Sequence, residues 1–411
     1  MDELLSVDNA ITRLLNAASQ GQQQRVSVEN ALSQVLARDI IAHQAMPAFD
    51  RAMLDGFAVL AKDTESASKE QPVMLAIHEH VIGAGFDHLI TIKKGQAIRT
   101  MTGAPLMQGV DAIVRLEHAK VIERDGQTWL LVTKPVQKGE AVQVKGYEAM
   151  EGETLLPSGT KLGVAEVALL AAQGIREVSV IRPPAIGVMA TGSELIAREE
   201  SWRFGKLYDS NALMITNLLR SWGYQAKRLM PVQDEREILT DRLQEALEES
   251  DLLITTGGVS VGDFDLVPST LEALGVERLF WGVWMRPGTP LYAGKKGDKI
   301  IMAMSGNPGA AIVHAIVFLP TLLARMTNLH DQSLGVLQKG ILARAIENLK
   351  PVKHTRFLRG RWYLKDGHVF VEPHDDQSSG TLRSYCQANA LLRLEASENL
   401  TMGTLVSFLP F

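Results

Sequence analysis

Apolar and polar positions follow three different rhythms along the chain. In residues 4–18, Leu4, Leu5, Ile11, Leu14 and Leu15 recur at helical spacing, with Ser6 placed as a cap. A second helix is expected after Ser27, with Glu29 in its first turn and Val28, Leu32, Val35 and Leu36 on one face. From about 45 to 145 the texture changes to β-branched runs broken by glycines. There Asp125-Gly126 separates Ala119–Ile122 from Trp129–Val132, the pattern of a β-hairpin.

From about 185 the pattern alternates regularly. Ile186–Ala190 reads as a short buried strand, and Ser210 as the cap of a helix carrying Ala212, Ile215, Leu219 and Trp222 and ending at Gly223. Leu239, Leu243, Ala246 and Leu247 mark another helix, followed by a strand at Leu252–Thr255. Strands near Leu279–Trp284 and Ile300–Met304 come next, and the second leads into a helix reaching Leu323. Strands alternating with helices imply a parallel sheet whose ligands sit beyond the carboxyl ends of the strands. After about 330, Arg356–Leu364 and His368–Glu372 flank Lys365-Asp366-Gly367, a second hairpin signal opening a separate β domain. The fold class expected is therefore multidomain α/β: a central doubly wound α/β domain, a β-rich inserted module and a C-terminal β domain. The expected boundaries are 1–44 and 145–180 for N-terminal helical and mixed segments, 45–144 for the insert, 181–328 for the α/β domain and 329–411 for the β domain.

Composition narrows the function. The 411 residues exceed one compact core. A net charge of −5 argues against a general nucleic-acid binder, which needs clustered Lys and Arg. The single cysteine, Cys386, allows no internal disulfide and no cysteine-based zinc site. The acidic start, Met1-Asp2-Glu3, lacks the basic and apolar regions of a signal peptide, and no uninterrupted apolar run approaches the ~18 residues that span a bilayer. The expectation is a cytoplasmic protein bound to neither membrane nor nucleic acid.

Three loops carry candidate chemistry. Thr255 to Asp265 leaves a strand and precedes a helix; Thr256, Gly257, Gly258, Ser260 and Gly262 suit close approach to phosphate oxygens, and Asp263 and Asp265 suit Mg²⁺ beside them. A tight turn with capping aspartates explains the same residues equally well. Gly258-Val259-Ser260-Val261-Gly262 also matches the nucleophile elbow of serine hydrolases, with His314 or His330 as the imaginable base. The second loop is Ser305-Gly306-Asn307-Pro308-Gly309. In the third, Met285 to Pro290, the Arg286 guanidinium at a strand end is shaped for an oxyanion, with a structural salt bridge as the plain alternative. Glu194, Asp209, Asp234, Asp263 and Asp265 all fall near expected strand ends. Each alone is most simply a cap; together they suggest a cleft for a metal–phosphate group. His78-Glu79-His80 is read as surface.

At these residues the chain resembles the molybdopterin molybdenumtransferase family, which includes the C-terminal enzyme domain of gephyrin. Pro47 to Val59 resembles the family's P-x-F-D-x-S-A-M-D-G-Y-A-V, and Arg99 to Pro105 its R-I-M-T-G-A-P. Thr191-Gly192-Ser193-Glu194-Leu195, Asp209-Ser210-Asn211 and Thr256 to Asp265 match three further motifs, and Gly380, Leu382, Ser384, Ala388 and Asn389 follow the pattern of the last domain.

The resemblance implies a molybdopterin-binding α/β domain at 181–328 and an elongated homodimer. It implies a reaction that takes adenylylated molybdopterin and molybdate with Mg²⁺, inserts molybdenum and releases AMP. Carried over by position, Asp55, Thr102, Glu194, Asp234, Asp265 and Arg286 are catalytic candidates, with Asp55 and Thr102 reaching across the dimer. Thr256, Gly257, Gly258, Ser260, Gly262, Ser305, Gly306, Asn307 and Pro308 would hold the pterin substrate, and Asp234, Asp263 and Asp265 the metal. Other cofactor-assembly proteins are implied partners. Departures cluster near the oxyanion site. Thr289 stands where the family has a second basic residue, Ser305 replaces Pro, Gly309-Ala310 replace Val-Ser, Ala52 replaces Ser, and Glu148 replaces Asp. A diverged, non-catalytic cofactor-binding or carrier paralogue is the second reading, and a serine hydrolase a distant third.

Overall fold

The computed structural model describes residues 3–196, 200–260, 265–330, 335–347, 353–395 and 400–411. The chain forms two compact units. One comprises Met1–Arg38, Ser158–Val167 and Arg176–Phe411; the other comprises Asp39–Pro157 and Ala168–Ile175.

In the larger unit a six-stranded sheet runs in the order 226–228, 186–190, 252–256, 299–304, 292–296, 277–281. The first four strands are parallel and the last two antiparallel. Its strands are apolar without interruption because both faces are covered. Ile186, Val188, Leu252, Ile254, Ile300 and Met302 point into a core shared with helices Val7–Ala17, Asn211–Ser221 and Pro308–Thr327. Met189, Leu253, Ile301 and Ala303 point the other way, onto helices Arg236–Glu249 and Val267–Ala273. Period-2 alternation along each strand thus produces the doubly wound α/β layer. By length and composition Pro308–Thr327 could cross a bilayer, yet 89% of its most apolar window is enclosed by protein. It is the central helix of this core.

Beyond the helix, strands 338–342, 355–365, 368–373, 390–394 and 405–410 close into a barrel, because 355–365 pairs with both 368–373 and 390–394. The hairpin between 355–365 and 368–373 turns at Asp366 and Gly367, at φ 49° and 77°, the left-handed pair that an Asp-Gly turn supplies.

In the smaller unit the sheet order is 112–115, 56–59, 96–100, 73–82, 127–132, 120–124. Phe57, Val59, Ala97 and Val114 fill one apolar cluster and Ala58, Ile98 and Ile113 the opposite one. The expected hairpin turns at Asp125 and Gly126, at φ 53° and 74°, with Arg124 opposite Gln127.

Three expectations are corrected. No α-helix follows Ser27: Val28–Asn30 is a single 3-10 turn, Ser33 lies at φ 66°, and Val35–Leu36 is a strand. Strand Glu177–Ile181 pairs with Gln23–Ser27 on one side and Val35–Leu36 on the other, so distant pairing overrides the local helical spacing. Ser210 makes no side-chain capping bond; Asp209 Oδ1 instead accepts from the Ala212 amide at 3.0 Å. The stretch 279–284 is not one strand of a parallel sheet. Glu277–Trp281 runs antiparallel at the sheet edge, and Met285–Arg286 leaves the sheet to pair in parallel with Thr355–Lys365 of the barrel. Arg286 therefore does not sit at the end of an α/β strand.

Candidate active site

At the carboxyl ends of strands 186–190, 252–256 and 299–304 lies a cavity of about 250 Å³. It is lined by Thr191, Gly192, Glu194, Asp234, Gly257, Gly258, Val259, Ser260, Asp265, Ser305 and Gly306. Three loops distant in the chain are joined there by backbone. The Thr191 amide donates to the Thr256 carbonyl at 2.8 Å, that of Gly192 to Val232 at 2.9 Å, and that of Gly257 to Met304 at 3.0 Å. The fit leaves no room for a side chain at one position and little at a second. A Cβ on Gly257, at φ 95°, would lie 2.1 Å from the Thr191 carbonyl oxygen, and one on Gly306 would lie 3.2 Å from the Gly257 Cα. The glycines are therefore present for close backbone approach.

Asp234 is tied into the Thr191–Leu195 loop by a reciprocal pair: Asp234 Oδ2 accepts from the Ser193 amide at 3.0 Å, and Ser193 Oγ accepts from the Asp234 amide at 3.1 Å. Burial raises the Asp234 carboxyl above its ordinary value; the Ser193 amide opposes this, and the charges of Glu194 and Asp265 raise it further. All three carboxylates line the same cavity. Its second oxygen, Oδ1, is buried without a hydrogen-bond partner. Mg²⁺ takes hard oxygen donors, keeps several waters and commonly relies on one or two carboxylates plus substrate phosphates. Glu194, Asp234 and Asp265 fit that chemistry, and Asp234 Oδ1 is an atom such an ion would satisfy. Among the described residues no group of three or more acidic, His or Cys side chains forms a ready-made cage. Gly262 and Asp263 lie outside the described residues.

Ser305 also lines a second, larger cleft of about 1170 Å³, which runs from the α/β domain along the barrel. Arg286, Arg344, His354 and Arg356 line it, together with Asn307, Ser378 and Ser379. The 305–309 loop is fixed from both sides: Asn211 Nδ2 donates to the Gly306 carbonyl at 2.8 Å, Asn307 Nδ2 to Ser379 Oγ at 3.1 Å, and the Tyr385 hydroxyl to the Gly309 carbonyl at 3.0 Å. Pro308 opens the central helix at its first position, where the missing N–H costs nothing. In the 286–290 loop, Thr289 turns its hydroxyl inward to the Met285 carbonyl at 2.9 Å. Buried His314 holds Gly288, its Nε2 lying 2.7 Å from the carbonyl oxygen, which can only accept. Complete burial lowers the imidazole to about 4, the Gly288 bond opposing this.

The smaller unit carries the remaining pair. Asp55 Oδ1 accepts from the Thr102 amide at 2.8 Å and from its hydroxyl at 2.7 Å. These two bonds, hydroxyl first, hold the exposed Asp55 carboxyl below the usual range. The structure thus groups Glu194, Asp234, Asp265, Thr256–Ser260 and Ser305–Gly306 around one cavity, with Thr256 in the strand end beneath it. It places Arg286 and Asn307 in the adjoining cleft, and joins Asp55 to Thr102 in the other unit. Sequence reasoning missed Arg344, His354 and Arg356: no local motif marks them, strand pairing sets Arg356 opposite Arg286, and all three line the same cleft as Arg286. The cavity around Ser260 presents carboxylates and no imidazole, while His314 is committed to Gly288.

Comparison with known proteins agrees with this architecture. Residues 5–174 match the family model "MoeA N-terminal region (domain I and II)", 187–324 match "Probable molybdopterin binding domain", and 341–411 match "MoeA C-terminal region (domain IV)". The molybdopterin molybdenumtransferase of Bacillus subtilis (strain 168) is 35% identical over 390 residues, covering 95% of this chain and 90% of that protein. That of Staphylococcus aureus (strain MRSA252) is 33% identical over 391 residues, covering 95% and 91%. The crystal structure of a molybdopterin biosynthesis MoeA protein from Pyrococcus horikoshii OT3 superposes with a TM-score of 0.82 at 28% identity and covers 100% of both chains. Sequence identity of this extent, over nearly the whole length and with the same order of domains, shows that the chain belongs to the molybdopterin molybdenumtransferase family.

Proposed function

We propose that this enzyme of molybdenum cofactor biosynthesis inserts molybdenum from molybdate into adenylylated molybdopterin and releases AMP. The observation that carries the reading is the meeting of two opposite sites at Ser305: a small carboxylate-lined cavity and a larger cation-lined cleft. A phosphoanhydride needs a divalent cation and close backbone donors; an oxyanion needs guanidinium groups. In this reading the loop Thr256 to Ser260, with Ser305 to Pro308, holds the phosphorylated pterin. Glu194, Asp234 and Asp265 hold Mg²⁺. When bound, that ion supplies charge neutralisation at the pyrophosphate. Arg286 orients molybdate for attack by the substrate sulfurs. Asp55 and Thr102 complete the site from a second copy in a cytoplasmic homodimer.

The test is AMP release from adenylylated molybdopterin with Mg²⁺, with and without molybdate. Molybdate-dependent release is expected. Tight substrate binding without release would replace the reading by that of a non-catalytic carrier.

A further inference from the structure

In the smaller unit, strand 73–82 breaks its ladder at one point. Its parallel pairing with strand 96–100 steps from Ile77 opposite Ala97 to Val81 opposite Arg99, so residues 78–80 stand against Ile98 alone. On the other side, pairing with strand 127–132 ends at Ala76, opposite Trp129, and the Gln127 side chain donates to the Ile77 carbonyl at 3.3 Å. The resulting bulge carries His78-Glu79-His80, with His78 half-buried and the other two exposed. Bulges re-aim side chains, and residues two apart in a strand share a face. Here two imidazoles stand side by side, their ring centres 5.2 Å apart. Both Nδ1 atoms face the chain: the His80 amide donates to His78 Nδ1 at 3.3 Å, and the Glu79 carboxylate lies 3.8 Å from His80 Nδ1. That leaves Nε2 of each ring for an outside ligand. Two nitrogens about 2.0–2.1 Å from one tetrahedral ion put their ring centres about 5 Å apart, and the observed spacing matches this.

We infer that His78 and His80 form a two-imidazole site for a borderline divalent ion, Zn²⁺, Ni²⁺ or Cu²⁺, built from other residues than the carboxylate cavity. Imidazole suits these ions, whereas Mg²⁺ takes oxygen donors. Among the described residues no third acidic, His or Cys side chain completes a cage, so water or a donor from another molecule fills the remaining positions. Glu79 orients rather than ligates: a carboxylate at the far nitrogen fixes the tautomer and raises the basicity of the ligand. Coordination through Nε2 moves the His78 ring proton to Nδ1 and gives up the long bond from the His80 amide. The site stands independently of the reaction proposed above.

The experiment is calorimetric titration of the full, chelator-treated chain with NiCl₂ in excess MgCl₂, which keeps the carboxylate cavity supplied with its own ion. Wild type should bind one Ni²⁺ ion that the double variant H78Q/H80Q does not. Outer partners of metal-binding histidines are alone worth about 10–100-fold in affinity, so H78Q and H80Q should each weaken binding at least about tenfold, and E79Q less. Metal-free melting should match wild type in all four variants. Chemical protection needs no variant: in wild type, Ni²⁺ should shield His78 and His80 from diethyl pyrocarbonate before the other histidines, as read by peptide mass spectrometry. The site is overturned if H78Q/H80Q binds Ni²⁺ as wild type does, if wild type binds none, or if Ni²⁺ shields other histidines and leaves these two reactive. It is overturned equally if E79Q costs more than either single histidine variant, since the ion would then be held by the carboxylate.

Discussion

The acidic cavity and the basic cleft share Ser305 but are built by different means. Main-chain contact shapes the cavity: the Gly257, Thr191 and Gly306 loops touch with no side chains between them, and the carboxylates hang from this frame. The cleft is shaped by side chains and strand register. Arg359, only 2% exposed, donates to the carbonyls of Asp376 at 2.8 Å and Ser378 at 2.6 Å, and lies 4.7 Å from the centre of the Tyr385 ring. It thereby shapes the 374–381 loop that forms one wall. A frame of backbone tolerates no added atom, whereas a wall of side chains depends on each group being satisfied.

The largest effect is expected at the cavity. Asp265→Ala should lower AMP release by about 10²–10³ with unchanged melting, since electrostatic groups at a reacting phosphate are worth several kcal/mol; wild-type turnover would remove Asp265 from the site. Next come two substitutions that set frame against wall. Gly257→Ala should destabilise by about 3 kcal/mol in urea titration and abolish substrate binding, because the added Cβ meets the Thr191 carbonyl. Arg359→Met should cost about as much, since it removes a buried guanidinium from the Asp376 and Ser378 carbonyls. It should weaken molybdate binding more than pterin binding. Equal losses of both ligands would erase the distinction between frame and wall.

A subtler effect concerns His314, the post behind the 286–290 loop. Its folded-state value, about 4, lies below the ordinary 6.5, so the unfolded chain binds the proton more readily. The contribution of neutral His314 is fully present above about pH 6.5 and is lost as pH falls toward 4, amounting to about 3 kcal/mol. His314→Gln should flatten that part of the stability–pH curve; an unchanged slope would assign the acid lability elsewhere. The smallest effect is expected from Thr289→Lys. The Thr289 side chain is turned to the Met285 carbonyl, so the molybdate dissociation constant should stay within about threefold of wild type. A tenfold tightening would show that position 289 still governs the oxyanion.

This contrast also explains what could be read from residues alone. Backbone-built features leave marks in contiguous sequence. Both Asp-Gly turns, the Ser6 cap, whose Oγ accepts from Asn9 at 3.2 Å, and the glycine loop at 256–260 are of this kind. Asp209 shows the limit: a cap at Asp-Ser-Asn was foreseeable, but its assignment to Ser210 was one residue off. Features made by distant pairing left no mark. Val28 to Leu36 kept a helical spacing that the neighbouring Glu177–Ile181 strand overrode. Arg286 reads from the sequence as an oxyanion candidate, but its pairing with a strand about 70 residues later, and hence its neighbour Arg356, follows only from tertiary register.

The central helix Pro308–Thr327 carries a consequence for the life of the chain before it is active. Its cover comes from residues on both sides in sequence: Val7, Ala10 and Leu14 before it, and Phe357, Leu391 and Leu409 after it. A ribosome therefore completes this helix well before the barrel strands that shield it. Each nascent chain passes through a stage in which the part of this 20-residue apolar helix that meets the barrel is uncovered. Such a stage invites chaperone capture or self-association, and synthesis speed through residues 330–410 becomes a determinant of yield.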